Sequence, residues 1–217
     1  MKNLQKMGGI AALYAGAAYI VGMVGFLLVV GWPDDPVEQV AVLVQNQVSL
    51  HILHLIVYVV WAVFMVVLAL ALYERLKTGS PAMIMTATVF GLIWAAVIIA
   101  SGMIFISGME NVVNLYDTDP DRAATVWLAI DSVFGGLGGS NEVLGGIWIL
   151  LVSWAALRAG QFPRVLNYLG VAIGVAGIIS VVPALAELFV IIFALGQIVW
   201  FIWLGIVLLR SSPSAAA

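Results

Sequence analysis

SLHILHLIVYVVWAVFMVVLALALY, residues 49 to 73, decides the fold. About 20 apolar helical residues, rising 1.5 Å each, cross the ~30 Å hydrocarbon layer of a bilayer, and this stretch exceeds that length without one Asp, Glu, Lys or Arg. It reads as a membrane helix from Val48 to Tyr73 whose exceptional residues are its two histidines, the only ones in the chain. Five further runs of the same kind cover Gly9 to Gly31, Pro81 to Ser107, Asn141 to Leu157, Pro163 to Val182 and Glu187 to Leu209. Turn chemistry or charge separates them: WPDDP at 32 to 36, ERLKTGSP at 74 to 81, DTDPDR at 117 to 122 and RAGQFPR at 158 to 164. The expected fold class is all-α: a six-transmembrane-helix bundle forming a single integral membrane domain over residues 1–217.

Composition agrees. With 64% hydrophobic residues, 9% charged residues and a mean hydropathy of +1.17, the water-soluble classes are excluded. The net charge of −3 and scattered bases leave no electrostatic footprint for nucleic acid. The absence of cysteine rules out disulfides, thiolate nucleophiles and thiolate metal sites. Lys2 and Lys6 precede an apolar run too long for a signal-peptide core, so the first span is expected to stay uncleaved.

Cytoplasmic loops hold an excess of Lys and Arg. In the six-span arrangement Lys2, Lys6, Arg75, Lys77, Arg158, Arg164 and Arg210 fall on one side and only Arg122 on the other. Both termini are therefore expected in the cytoplasm (N-in/C-in), with the acidic loops outside. On that side Pro36 to Val48 reads as a separate interfacial helix. Asp121 to Phe134 reads as a second, arriving at the glycine run GGLGG, 135 to 139, where a bend would line protein or water. Gly170, Gly174 and Gly177 mark a close helix–helix face.

His51, His54, Tyr58, Trp61 and Met65 recur at three and four residues and so share one helix face. Ionisable groups at membrane depth face the bundle interior or a water-filled cavity. Counting along the other spans places Ser101, Glu142 and Gln197 at similar depth, and Trp61, Trp94, Trp148 and Trp200 near mid-membrane on four helices. These residues predict an outward-opening pocket with a polar rim of His51, His54, Glu142 and Gln197, completed by Tyr58 and Ser101, over a tryptophan floor.

The histidines leave several chemistries open. Two imidazoles one turn apart plus the Glu142 carboxylate form a candidate set for Zn or Fe with an open position for water. A proton-linked role is the second, because His titrates near neutrality. A structural, hydrogen-bonded pair near the headgroups is the third. Haem held by both histidines of one subunit is disfavoured, since two ligands on one helix cannot reach opposite faces of the ring. No GxSxG elbow is present for serine hydrolysis.

LRAGQFPRVLNYLGVAIGVAGIISVVPA, 157 to 184, and LGQIVWFIWLGIVLLR, 195 to 210, combine a short basic Phe-Pro-Arg turn, a Leu/Gly-rich helix and a Trp-rich last span. This pattern resembles a bacterial family of small six-span membrane proteins known as a domain of unknown function, of the 4386 type. The resemblance implies a multi-pass protein of the bacterial inner membrane and assigns no reaction. The leading functional expectation is a carrier or receptor for a small apolar or amphiphilic ligand. The alternatives are a metal-dependent membrane enzyme using His51, His54 and Glu142, and an accessory subunit of a larger membrane complex. The expected partners are the lipid bilayer, a small molecule or lipid, and either further copies of the chain or a larger assembly.

Overall fold

A computed structural model describes residues 2–26, 32–139 and 141–210. These residues form helices and no strand: α1 Lys2–Val24, α2 Pro36–His54, a π-helical segment Leu55–Val60, α3 Trp61–Leu76, α4 Pro81–Tyr116, α5 Pro120–Phe134, a second π-helical segment Gly135–Gly139, α6 Glu142–Arg158, α7 Arg164–Ile179, a 3₁₀ turn Pro183–Leu185 and α8 Ala186–Arg210. The far end of the first predicted span, residues 27–31, lies outside the described residues.

Two helix starts, those of α2 and α5, are written in Asp-Pro pairs. Proline suits the first helical position because its missing N–H has no intrahelical partner there, and an aspartate before it accepts the amides that follow. Asp35 Oδ1 accepts Val37 N at 2.9 Å and Glu38 N at 3.1 Å, and Asp119 Oδ1 accepts Arg122 N at 3.1 Å. Asp35→Ala is expected to cost roughly 1 kcal/mol, read as a lower unfolding temperature in detergent, with Asp34→Ala as the neutral comparison.

Two stretches bear on the predicted boundaries. Helical structure extends from Pro36 to Leu76 but is interrupted within α2, where two helices meet at a kink. No glycine or proline lies between Val37 and Thr78, so the chain resumes helix directly after the kink. Asn46 (φ −116, ψ 17) kinks it, and its Nδ2 donates back to Val42 O at 3.0 Å. Among the described residues five helices are long and apolar enough to cross a membrane: Asn3–Val24, Pro36–Leu76, Pro81–Tyr116, Pro120–Arg158, which includes residue 140 outside the described set, and Pro183–Arg210. The predicted fifth span, 163 to 182, is only the 16-residue α7. At 1.5 Å per residue that is about 24 Å. Pro183 holds Val182 extended (φ −81, ψ 112), which prevents the helix from continuing.

The chain divides into two compact units. The first comprises residues 1–17, 62–95 and 141–217. Its α6 and α7 pack at the distance only glycine permits. A Cβ on Gly146 would lie 2.7 Å from Gly174 O, and one on Gly174 would lie 2.7 Å from Gly146 O. The α6–α7 connection is a tight turn in which Gly160 (φ 61) and Phe162 (φ 62) adopt the left-handed conformation. Asn167 Nδ2 pins it by donating to Gln161 O at 2.9 Å, and Arg75 Nε donates to Gln161 Oε1 at 3.0 Å.

The second unit comprises residues 18–61 and 96–140. Its core packs Val40, Leu43 and Leu50 of α2 against Phe105, Met109 and Val112 of α4 and Ala123, Ala124 and Trp127 of α5. Trp127 Nε1 donates to Gln39 Oε1 at 2.9 Å, which satisfies the one polar atom that this tryptophan brings inside.

Charge separates along the same division. The first unit holds seven Lys or Arg against three acids, and the second holds Arg122 against eight. Large apolar side chains face outward in both, among them Val48 at 73% exposure, Val63, Met85, Val165 and Leu188. So much exposed hydrocarbon is unfavourable in water and ordinary in lipid.

Candidate functional site

The second unit encloses His54 in aromatic rings. Its imidazole lies face to face on Phe105, with centroids 3.5 Å apart and planes at 11°, and stacks on Tyr58 one turn along at 5.1 Å. Phe26 meets it edge-on at 5.5 Å and Phe134 at 6.0 Å. Phe105 and Phe134 touch each other at 5.2 Å, and Phe105 meets Trp127 edge-on at 5.4 Å. His54 is wholly buried.

Its two nitrogens are used differently. Nδ1 lies 2.8 Å from Leu50 O. A carbonyl can only accept, so Nδ1 carries the hydrogen and Nε2 of the neutral ring presents a lone pair. That Nε2 is buried and has no hydrogen-bond partner among the described residues. Buried polar atoms are nearly always paired, so this one marks a place where the fold accepts a cost.

Both π-helical segments adjoin this chamber. One begins at Leu55, directly after His54, and carries Tyr58; the other begins at Gly135, directly after Phe134. π-Helical turns occur disproportionately at functional sites. Close contacts fix the walls: a Cβ on Gly102 would lie 2.6 Å from Tyr58 Cβ, and one on Gly138 would collide with Ser101. Ser101 is wholly buried, and its Oγ donates to Phe134 O at 3.0 Å. By contrast, Phe26, Tyr58 and Phe134 are partly exposed, and open space lies beside Gly135 and Gly136.

The ten residues predicted from sequence fall into two sets. His51, His54, Tyr58, Trp61 and Ser101 belong to the second unit. Of these the structure brings His54 and Tyr58 together, with Ser101 behind Phe134. Trp61 is buried and meets Tyr19 edge-on at 5.9 Å. His51 has a different setting from His54: its side chain is 39% exposed, with Nδ1 4.0 Å from Glu110 Oε1.

Trp94, Glu142, Trp148, Gln197 and Trp200 belong to the first unit. Three of the four predicted floor tryptophans form a buried chain, Trp94 to Trp148 at 5.9 Å and Trp148 to Trp200 at 5.7 Å. Trp94 Nε1 donates to Asn141 Oδ1 at 2.7 Å. Gln197 Oε1, Trp200 Nε1 and Ser153 Oγ are buried without partners among the described residues. A Cβ on Gly170 would collide with Ser153 Oγ and lie 2.6 Å from Trp200 Nε1. Glu142 is partly buried in the first turn of α6, where the helix dipole favours a carboxylate. No group of three or more His, Asp or Glu side chains able to hold a metal ion occurs among the described residues.

Sequence reasoning missed Phe26, Phe105 and Phe134. Each is one phenylalanine in an apolar run, with no local signal that its ring meets a histidine.

Apolar outward surfaces, helices of membrane-crossing length and a buried polar atom inside an aromatic chamber define an integral membrane protein of the helical-bundle class. The chain belongs to the family described as a domain of unknown function, DUF4386, whose profile matches residues 12–207. No curated protein and no solved structure matches it.

Proposed function

We propose that this bundle binds a small amphiphile in the His54 chamber, as a carrier or receptor in a bacterial inner membrane. The observation that supports this reading is one atom, His54 Nε2, an unpartnered acceptor wholly buried among aromatic rings. Leaving such an atom unpaired costs about 1–3 kcal/mol, and a ligand O–H or N–H that reaches it removes the cost. Phe26, Tyr58, Phe105 and Phe134 favour a flat apolar body behind that donor. A phenol-like or other hydroxylated amphiphile combines the two requirements. The partly exposed rings form the way in, and the space beside Gly135 and Gly136 leaves Phe134 room to turn aside. The seven bases of the first unit favour an orientation with both termini in the cytoplasm, which six crossings satisfy if α7 serves as a short span.

The test uses 1-naphthol and 1-methoxynaphthalene, similar bodies with and without the O–H. Wild-type protein in detergent is expected to bind 1-naphthol about tenfold more tightly, one hydrogen bond's worth, read by quenching of tryptophan fluorescence. His54→Phe is expected to erase the preference while keeping a stacked ring. Equal affinity for both probes in the wild type removes the proposal.

A further inference from the structure

A second, chemically different site lies in the first unit. A cleft of about 480 Å³ is lined by Ser80, Pro81, Ala82, Met83 and Thr86 at the start of α4, with Gly79 before them and Leu151 and Arg158 of α6 opposite. Packing builds it rather than a loose loop: a Cβ on Gly79 would lie 2.5 Å from Ala159 Cβ, so the turn before α4 is seated on the end of α6.

Three kinds of donor converge there. The first amides of a helix have no intrahelical acceptor, and with the helix dipole they favour an anion. Pro81 occupies the first position of this 36-residue helix, which leaves the Ala82 and Met83 N–H groups. Among the described residues neither is capped by a side chain. Ser80 is 93% buried, and its backbone is fully engaged: N donates to Leu76 O at 3.0 Å and O accepts Ile84 N at 3.1 Å. Ser80 lines the cleft, and its hydroxyl has no hydrogen-bond partner among the described residues. The third donor is Arg158, exposed and free of ion pairs among the described residues. Nearby Lys77 is already committed, donating to Glu74 at 2.8 Å, a bond that raises its pKa above the ordinary lysine value.

We propose that this cleft binds a phosphate group, with Ser80 Oγ, the Ala82 and Met83 amides and the Arg158 guanidinium as its donors. Neutral amides and a hydroxyl suit the phosphate oxygens, and the fork of Arg158 matches two of them at once. The volume exceeds that of inorganic phosphate, so an ester fits. The group arrives either on a lipid headgroup or on a soluble phosphate ester, and basic clefts between membrane helices suit the former.

The experiment uses the full chain in detergent. Native mass spectrometry follows dioleoylphosphatidylglycerol against dioleoylglycerol, which has the same chains and no phosphate, and thermal unfolding follows inorganic phosphate. Binding is expected to weaken at least about fivefold in Arg158→Gln and in Ser80→Ala, and to change within about twofold in Arg164→Gln, which removes the same charge outside the cleft. Arg158 is exposed, so its variant is expected to fold as wild type. An Arg158-sensitive signal from the lipid alone assigns the headgroup, and one from inorganic phosphate assigns a soluble ester; either supports the site. Dioleoylglycerol binding as well as phosphatidylglycerol, equal losses in Arg158→Gln and Arg164→Gln, or no binding of either phosphate overturns it.

Discussion

Gly146→Ala is expected to cost about 3 kcal/mol or more and to leave most of the protein aggregated on size-exclusion chromatography in detergent. The added methyl would sit 2.7 Å from Gly174 O and 3.0 Å from Gly177 Cα. All of these neighbours are backbone, so no side chain can rotate away and the two helix axes must part. Parting them would also disturb the Trp148 and Trp200 rings, which meet edge-on at 5.7 Å beside this crossing's helices. Gly136→Ala is the comparison, because nothing lies within 4 Å of a Cβ there. It should melt at or above the wild-type temperature, since alanine restricts the unfolded chain more than glycine does. Equal melting of the two variants would show that the α6–α7 approach is looser than its geometry indicates.

The second large effect is expected at His54→Ala. It deletes a ring stacked at 3.5 Å on Phe105 and at 5.1 Å on Tyr58, in a position with no exposure. Truncating a buried ring to alanine costs roughly 3–5 kcal/mol, because the surroundings collapse only partly into the space left. His54→Phe keeps the stack, loses the Nδ1 bond to Leu50 O and also removes the unpaired Nε2; these effects oppose each other, so it is expected to melt within about 1 kcal/mol of wild type. Thermal unfolding of the pair separates ring packing from nitrogen chemistry. If both variants melt together well below wild type, the nitrogens rather than the stack hold the chamber.

Much of this was legible in the chain beforehand, for identifiable reasons. Membrane-length apolar runs depend on composition and length alone, and five of the six predicted appear as long helices among the described residues, the run from 163 to 182 being the shorter α7. The inward turn of His54, Trp61 and Met65 follows from 3.6-residue periodicity, and all three are buried. Small-residue spacing pointed to the close approach at Gly170, Gly174 and Gly177 for the same local reason. The break expected at residue 48 has its counterpart in the kink at Asn46, although no Gly or Pro from Val37 to Thr78 marks it. The ring partners of His54 were out of reach: Phe26, Phe105 and Phe134 approach it over long stretches of chain, and periodicity within one helix says nothing about which ring arrives from another. Nor does any residue pattern announce a π-helical turn in LIVYVV.

That turn has a historical consequence. It differs from an α-helical turn by one additional residue, and each residue of an α-helix accounts for about 100° of rotation. Loss of a single aliphatic codon in this segment, such as that of Ile56, would leave every aromatic side chain intact and yet swing His54 by that angle away from Phe105. A lineage could thus gain or lose the chamber through one small deletion, with no ring ever replaced.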